Sequence, residues 1–142
     1  MAGFGGVFKN LAIGLATCPQ KRIVHGANFD TGRPFLQRVV EVAKAVFDDL
    51  GPRMACVNVI NNLSVDCDCD SHAAAPAMAD IGIMASLDPV ALDRACLDQI
   101  YLSNDPGRDQ LIERIESRDG AYLLDYAEQL GMGSQTYELI EA

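Results

Sequence analysis

Residues 34–60 read PFLQRVVEVAKAVFDDLGPRMACVNVI, and the fold turns on how that stretch divides. Phe35, Leu36, Val39, Val42, Ala43, Val46, Phe47 and Leu50 recur at helical spacing. Pro34 suits a first helical turn, whose amide would be unpaired in any case, and Gly51-Pro52 closes the run. The spacing predicts a helix over 34–50. Met54–Ile60 then changes period, and Val57, Val59 and Ile60 give it the β-branched content and length of a buried strand ending at Asn61-Asn62.

Downstream, periodicity lapses between Ser64 and Ala79, where Asp66, Cys67, Asp68, Cys69, Asp70, Ser71 and His72 precede an Ala-rich tract with Pro76; this is a loop. Asp80–Ser86 resumes as a short strand. Asp88-Pro89 then opens a helix through Val90, Leu92, Ala95, Cys96, Gln99 and Ile100, with an N-cap residue and a first-turn proline. Helical spacing returns over Gly107–Ser117 and Ala121–Leu130, Gly131-Met132-Gly133 is a stop, and Tyr137–Ile140 reads as a last strand.

Upstream, Gly3-Phe4-Gly5-Gly6 is a permissive loop feeding a helix over Val7–Leu15, followed by a turn at Cys18–Lys21 and a short strand at Arg22–His25. The order of elements predicts an α/β fold, a parallel or mixed sheet covered by helices, in a single domain over 1–142.

Composition agrees. With 49% hydrophobic and 22% charged residues over 142 positions, the chain has the make-up of a folded domain large enough for one core. A formal charge of −9, spread along the sequence, disfavours phosphate backbones, so nucleic acid is not an expected partner. Apolar runs are interrupted well before the roughly 20 residues of a membrane span. The amino terminus lacks a basic region, and Lys9-Asn10 breaks the first apolar run, so a cytoplasmic location is expected. Five cysteines without an export signal argue for reduced thiols rather than a disulfide framework. Cys56 and Cys96 sit in apolar patterns and read as small buried hydrophobes, leaving Cys18, Cys67 and Cys69.

Asp66-Cys67-Asp68-Cys69-Asp70 sets two thiols two residues apart, so that an extended chain turns both to one side, facing one ion. Thiolates suit zinc or iron, and the spacing does not decide between them. His72 and His25 are candidate further ligands. The alternative is a solvated acidic turn, since neighbouring carboxylates hold a thiol protonated unless a cation is present. A second candidate is the Gly5-Gly6 loop. Its amides would cradle an anion, with Lys9 as counter-charge. Asp80, Asp88 and Asp93 lie at strand and helix starts of the kind that line α/β sites. N-capping by Asp88 and exposure of Asp93 on the first turns are the simpler account of both.

Taken together, Gly5-Gly6-Val7-Phe8-Lys9-Asn10-Leu11, Val65–Cys69, Ala79–Asp93 and Glu128–Ser134 resemble the uncharacterised iron–sulfur-centre proteins of domain-of-unknown-function family 362, in the family's order. The resemblance implies longer relatives with a large amino-terminal part and, in many, a ferredoxin-like insert between the segments matched by His25 and Phe35. Gly26–Pro34 holds no cysteine. This chain would thus be a shortened paralogue or a fragment without that insert. What carries over is Gly5, Gly6, Lys9 and Asn10, the Cys67-Asp68-Cys69 motif, and Asp80, Asp88 and Asp93.

Three functions follow as expectations. The first is a metal- or iron–sulfur-binding domain using Cys67 and Cys69, with an iron–sulfur cluster or a zinc or iron ion as cofactor. The second is an enzyme holding a small anionic ligand between the glycine loop and the Asp80 and Asp88 loops. The third is a non-catalytic assembly domain, pairing with itself or with a partner that supplies the missing part of the family architecture.

Overall fold

The computed structural model describes residues 6–12, 32–66 and 72–141. Along the chain these form α1 (Gly6–Lys9), α2 (Arg33–Leu50), a 3-10 turn (Gly51–Arg53), β1 (Cys56–Ile60), β2 (Gly82–Ser86), α3 (Pro89–Leu102), α4 (Arg108–Ser117) and α5 (Tyr122–Gln129). The α/β class expected from the sequence is borne out, and one core runs from Val7 to Met132.

The sheet differs from expectation. Among the described residues it is a two-stranded antiparallel ladder, Cys56 opposite Ser86 through Ile60 opposite Gly82, rather than parallel or mixed. A parallel pair needs a crossover, usually a helix, and the acidic, alanine-rich segment after Asn62 has no helical period to supply one. The chain instead doubles back: Leu63 and Met78 form an isolated antiparallel bridge, and the Ala77 amide donates to the Leu63 carbonyl at 2.7 Å.

Alternation places Cys56, Asn58 and Ile60 inward, where α3 packs across the sheet. α3 is buried on nearly every side, including Val90, Leu92, Asp93, Cys96, Leu97 and Ile100, as expected of a central helix covered by layers on both faces. α4 and α5 pack on it, and α5 also lies against α2, whose buried stripe is Phe35, Leu36, Val39, Val40 and Ala43. That second contact is finished by polar pairs. The Gln37 amide donates to the Tyr122 hydroxyl at 2.7 Å, and the Arg33 guanidinium lies 4.4 Å from the Tyr122 ring centre.

A further expectation changes. Tyr137–Ile140 enters no ladder among the described residues. Its segment is tied to helices by side chains instead, with the Tyr137 hydroxyl donating to Asp98 at 2.8 Å and the Gln135 amide to Glu128 at 2.8 Å, while Leu139 and Ile140 stay exposed. The Cys18–Lys21 turn and the Arg22–His25 strand lie outside the described residues, as does the end of the helix expected over Val7–Leu15.

Candidate functional site

Asp93 was expected to be exposed on the first turns of its helix; it is 0% exposed. The sequence places it on α3 where α1 meets the sheet, and its carboxylate gathers three donors. Oδ1 accepts the Val7 amide at 2.9 Å and the Asn58 side-chain amide at 2.7 Å, and Oδ2 accepts the Phe8 amide at 3.4 Å. Burial pushes this acid up to about 6, against the pull of those donors, which favour the charged form. The glycine turn and Asp93 do come together, but the anion at the turn belongs to the chain itself. Gly6 has φ +30°, and a Cβ there would fall inside the Asp93 carboxylate, so only glycine lets the turn approach. Lys9 is half-buried at the end of α1 and Asn10 is exposed; Gly5 lies outside the described residues.

Asp88 acts as the helix cap its position suggests. Oδ1 accepts the Val90 and Ala91 amides at 2.8 and 2.9 Å, and Oδ2 accepts the Ser134 amide at 2.9 Å, so one carboxylate caps α3 and holds the segment after Met132 against it. Asp88→Ala is therefore expected to lower stability by about 1–2 kcal/mol. Urea unfolding measures the loss, and hydrogen exchange at Ser134 should quicken beyond it; an unchanged Ser134 rate would refute the tie. Asp80 accepts the Asn62 amide at 2.9 Å, closing the turn at which Asn62 takes φ +49°.

Asn58 was not singled out by sequence reasoning, though an amide between Val57 and Val59 in a buried strand signals that a polar partner waits inside. It donates to Asp93 and, at 3.3 Å, to the Cys96 sulfur, which lies 3.9 Å from the Met84 sulfur. Burial pushes Cys96 up to about 11 and raises Cys56 as well, so both thiols stay protonated. They are inert core groups, as their apolar settings implied.

Cys67, Cys69 and His25 lie outside the described residues; His72 is exposed. Among the described residues no group of three His, Cys, Asp or Glu side chains is placed to hold a metal. The residues on either side of the Cys67–Ser71 segment are tied to one another. The Ser64 hydroxyl donates to the Ala74 carbonyl at 2.9 Å, and the Ala74 amide donates to Asp66 Oδ2 at 3.1 Å. Arg114 of α4 stands 3.6 Å from Asp66 Oδ1. Further down, Asp105 accepts the Ala79 amide at 3.0 Å and the Gly107 amide at 2.7 Å, which holds its carboxyl below the usual range and binds the returning arm to the start of α4.

No helix of the described residues is long and apolar enough to cross a membrane. The family described as "Domain of unknown function (DUF362)" matches residues 1–98. No curated protein and no solved structure matches the chain.

Proposed function

The chain belongs to the DUF362 family, and from that premise we propose that it is a metal- or iron–sulfur-binding domain whose ligands are the thiolates of Cys67 and Cys69. The observation that carries the reading is the clasp of Ser64 and Asp66 on Ala74, which brings together the residues flanking the Cys-Asp-Cys segment and ties them to α4. A loop closed at its base lowers the entropy lost when two side chains converge on one ion.

The donor chemistry fits a soft or borderline cation. Two thiolates two residues apart favour zinc or iron over harder ions, and His72 stands just beyond the second of them. Asp66 is engaged by Ala74 and Arg114, so its part is to shape the loop. An ion held there would supply positive charge that keeps both thiols deprotonated among three aspartates. Two thiolates and one imidazole leave a coordination position open, which suits completion by a substrate or a partner protein. A reducing compartment such as the cytoplasm keeps such thiols available.

Elemental analysis and an optical spectrum of protein purified without oxygen test the reading. Bound zinc or iron is expected in the parent and absent from Cys67→Ser/Cys69→Ser. Chelation should lower the Tm of the parent alone, since an ion that binds only folded protein adds RT ln(1 + [L]/Kd), about 2.7 kcal/mol at a hundredfold excess. Equal metal content in parent and double variant would remove the proposal.

A further inference from the structure

Helix α4 ends in the pair of backbone bonds that closes many helices, with one residue in the left-handed conformation. The Gly120 amide donates to the Ile115 carbonyl at 2.8 Å, the Asp119 amide donates to the Glu116 carbonyl at 2.9 Å, and Asp119 takes φ +53°. Glycine usually fills that left-handed position, and asparagine and aspartate are the side chains that tolerate it. Space sets the next residue. A Cβ on Gly120 would stand 3.2 Å from the Ile115 side chain and 3.3 Å from its carbonyl, and Ile115 is buried in the core. The turn thus selects an aspartate followed by a glycine, and 119–120 is the one Asp-Gly pair in a sequence that has no Asn-Gly.

Such a pair is chemically labile, because the glycine has no side chain to shield its nitrogen from the aspartyl carbon. We propose that Asp119 is a site of spontaneous isoaspartate formation, and that Arg33 on α2 guards it. The Gly120 nitrogen attacks the side-chain carboxyl carbon of Asp119. A nitrogen–carbon bond forms, a carbon–oxygen bond breaks, and the oxygen leaves as water with the carboxyl and amide protons, closing a five-membered imide. Water then opens the ring. Addition at the side-chain carbon restores aspartate, whereas addition at the main-chain carbon leaves the chain running through the side chain. Water is the only other reactant, and the chemistry is independent of the metal reading.

In the folded chain both reacting groups are occupied. The nitrogen is engaged by Ile115, and the carboxylate is paired with the Arg33 guanidinium, which also lies 4.4 Å from the centre of the Tyr122 ring at the start of α5. Reaction therefore requires the turn to open locally, and its rate follows the open fraction. Arg33 reaches both Asp119 and Tyr122 from a different helix, so its loss frees the carboxylate and loosens the turn together. Because the ion pair is exposed, the acceleration should be modest, about two- to fivefold. The product also costs α5 a bond at its start: the Asp119 carbonyl, which accepts the Tyr122 amide at 3.1 Å, becomes a free carboxylate on a branch.

Ageing the folded protein near neutral pH for weeks tests this. The peptide spanning Asp119 is resolved by chromatography and mass spectrometry, isoaspartate having the mass of aspartate but a different retention and fragmentation. Isoaspartate should gather at Asp119 slowly in the parent and about two- to fivefold faster in Arg33→Gln. Arg33→Lys, which keeps the charge, should return toward the parental rate. Lys44→Gln, which breaks an exposed ion pair elsewhere on α2, should match the parent. Parent unfolded in urea should react fastest of all. No isoaspartate at Asp119 in the unfolded chain overturns the site. Equal rates in folded and unfolded parent, or an Arg33→Gln variant that ages like the parent, overturn the guard.

Discussion

Replacing Asp93 by alanine should lower the unfolding free energy by about 3–5 kcal/mol, a large part of what a domain of this size has in hand. The reason lies in what remains. The Val7 and Phe8 amides and the Asn58 side chain lose their acceptor in a place closed to water. Gly6→Ala should do comparable harm from the other side, since its Cβ would occupy the carboxylate's position. Because both changes break one clasp, the double variant should lose less than the sum of the single losses. Urea unfolding of the four proteins gives the cycle; strictly additive losses would show that the turn and Asp93 act independently.

The same carboxyl fixes a pH dependence whose sign runs against ordinary acid denaturation. Its folded value of about 6 lies above the ordinary 3.8, so folded protein binds the proton more readily than unfolded protein. The penalty for burying its charge is fully present above pH 6 and is relieved as pH falls from about 6 toward 4. Asp93→Asn has no such proton to gain. The parent should therefore improve relative to Asp93→Asn by up to about 3 kcal/mol between pH 7 and pH 4. Comparing the two cancels the titration of the other acids. A constant difference would place the folded value near the ordinary one.

Gly107→Ala is expected to cost about 2–4 kcal/mol, although the residue's φ of −81° is open to any amino acid. Space is the obstacle. A Cβ there would run into the backbone carbonyl of Ala77, and backbone cannot swing aside as a side chain can. The returning arm of the loop would have to retreat from α4, taking with it the Asp105 bond to Ala79. Hydrogen exchange should show the Ala77 and Ala79 amides opening faster in the variant than the rest of the core. Protection that falls evenly over the molecule would argue that Gly107 does not position the arm.

Much of this architecture could be read from the sequence because it is written in short-range pattern. The 3.6-residue period of Phe35–Leu50 and the Asp88-Pro89 cap are local, and both elements form where their residues indicate. Strand direction is not local. It depends on how Asn61–Ile81 returns, and an irregular acidic loop carries no period from which to read its path. Asp93 was misread for a related reason: just beyond the buried first turn of α3, its side looks free until α1, more than eighty residues upstream, is set against it. Tyr137–Ile140 has strand-forming residues, yet side-chain bonds from Gln135 and Tyr137 to the helices hold it elsewhere. The Cys-Asp-Cys pair could be noticed, while the clasp at its base involves Ser64, Asp66 and Ala74, ordinary residues whose importance is purely positional.

The depth of Asp93 also constrains the order in which the molecule can assemble. A state with α3 already packed on the sheet, but with the glycine turn still loose, would hold a carboxylate away from water with only Asn58 to answer it. Such half-satisfied burial is worse than either full solvation or full pairing. The contact separated by 86 positions must then close before, or together with, the burial of α3. Bringing such distant segments together is slow. The central helix, local as its own signals are, should thus reach its final depth late, when the opening turn of the chain arrives.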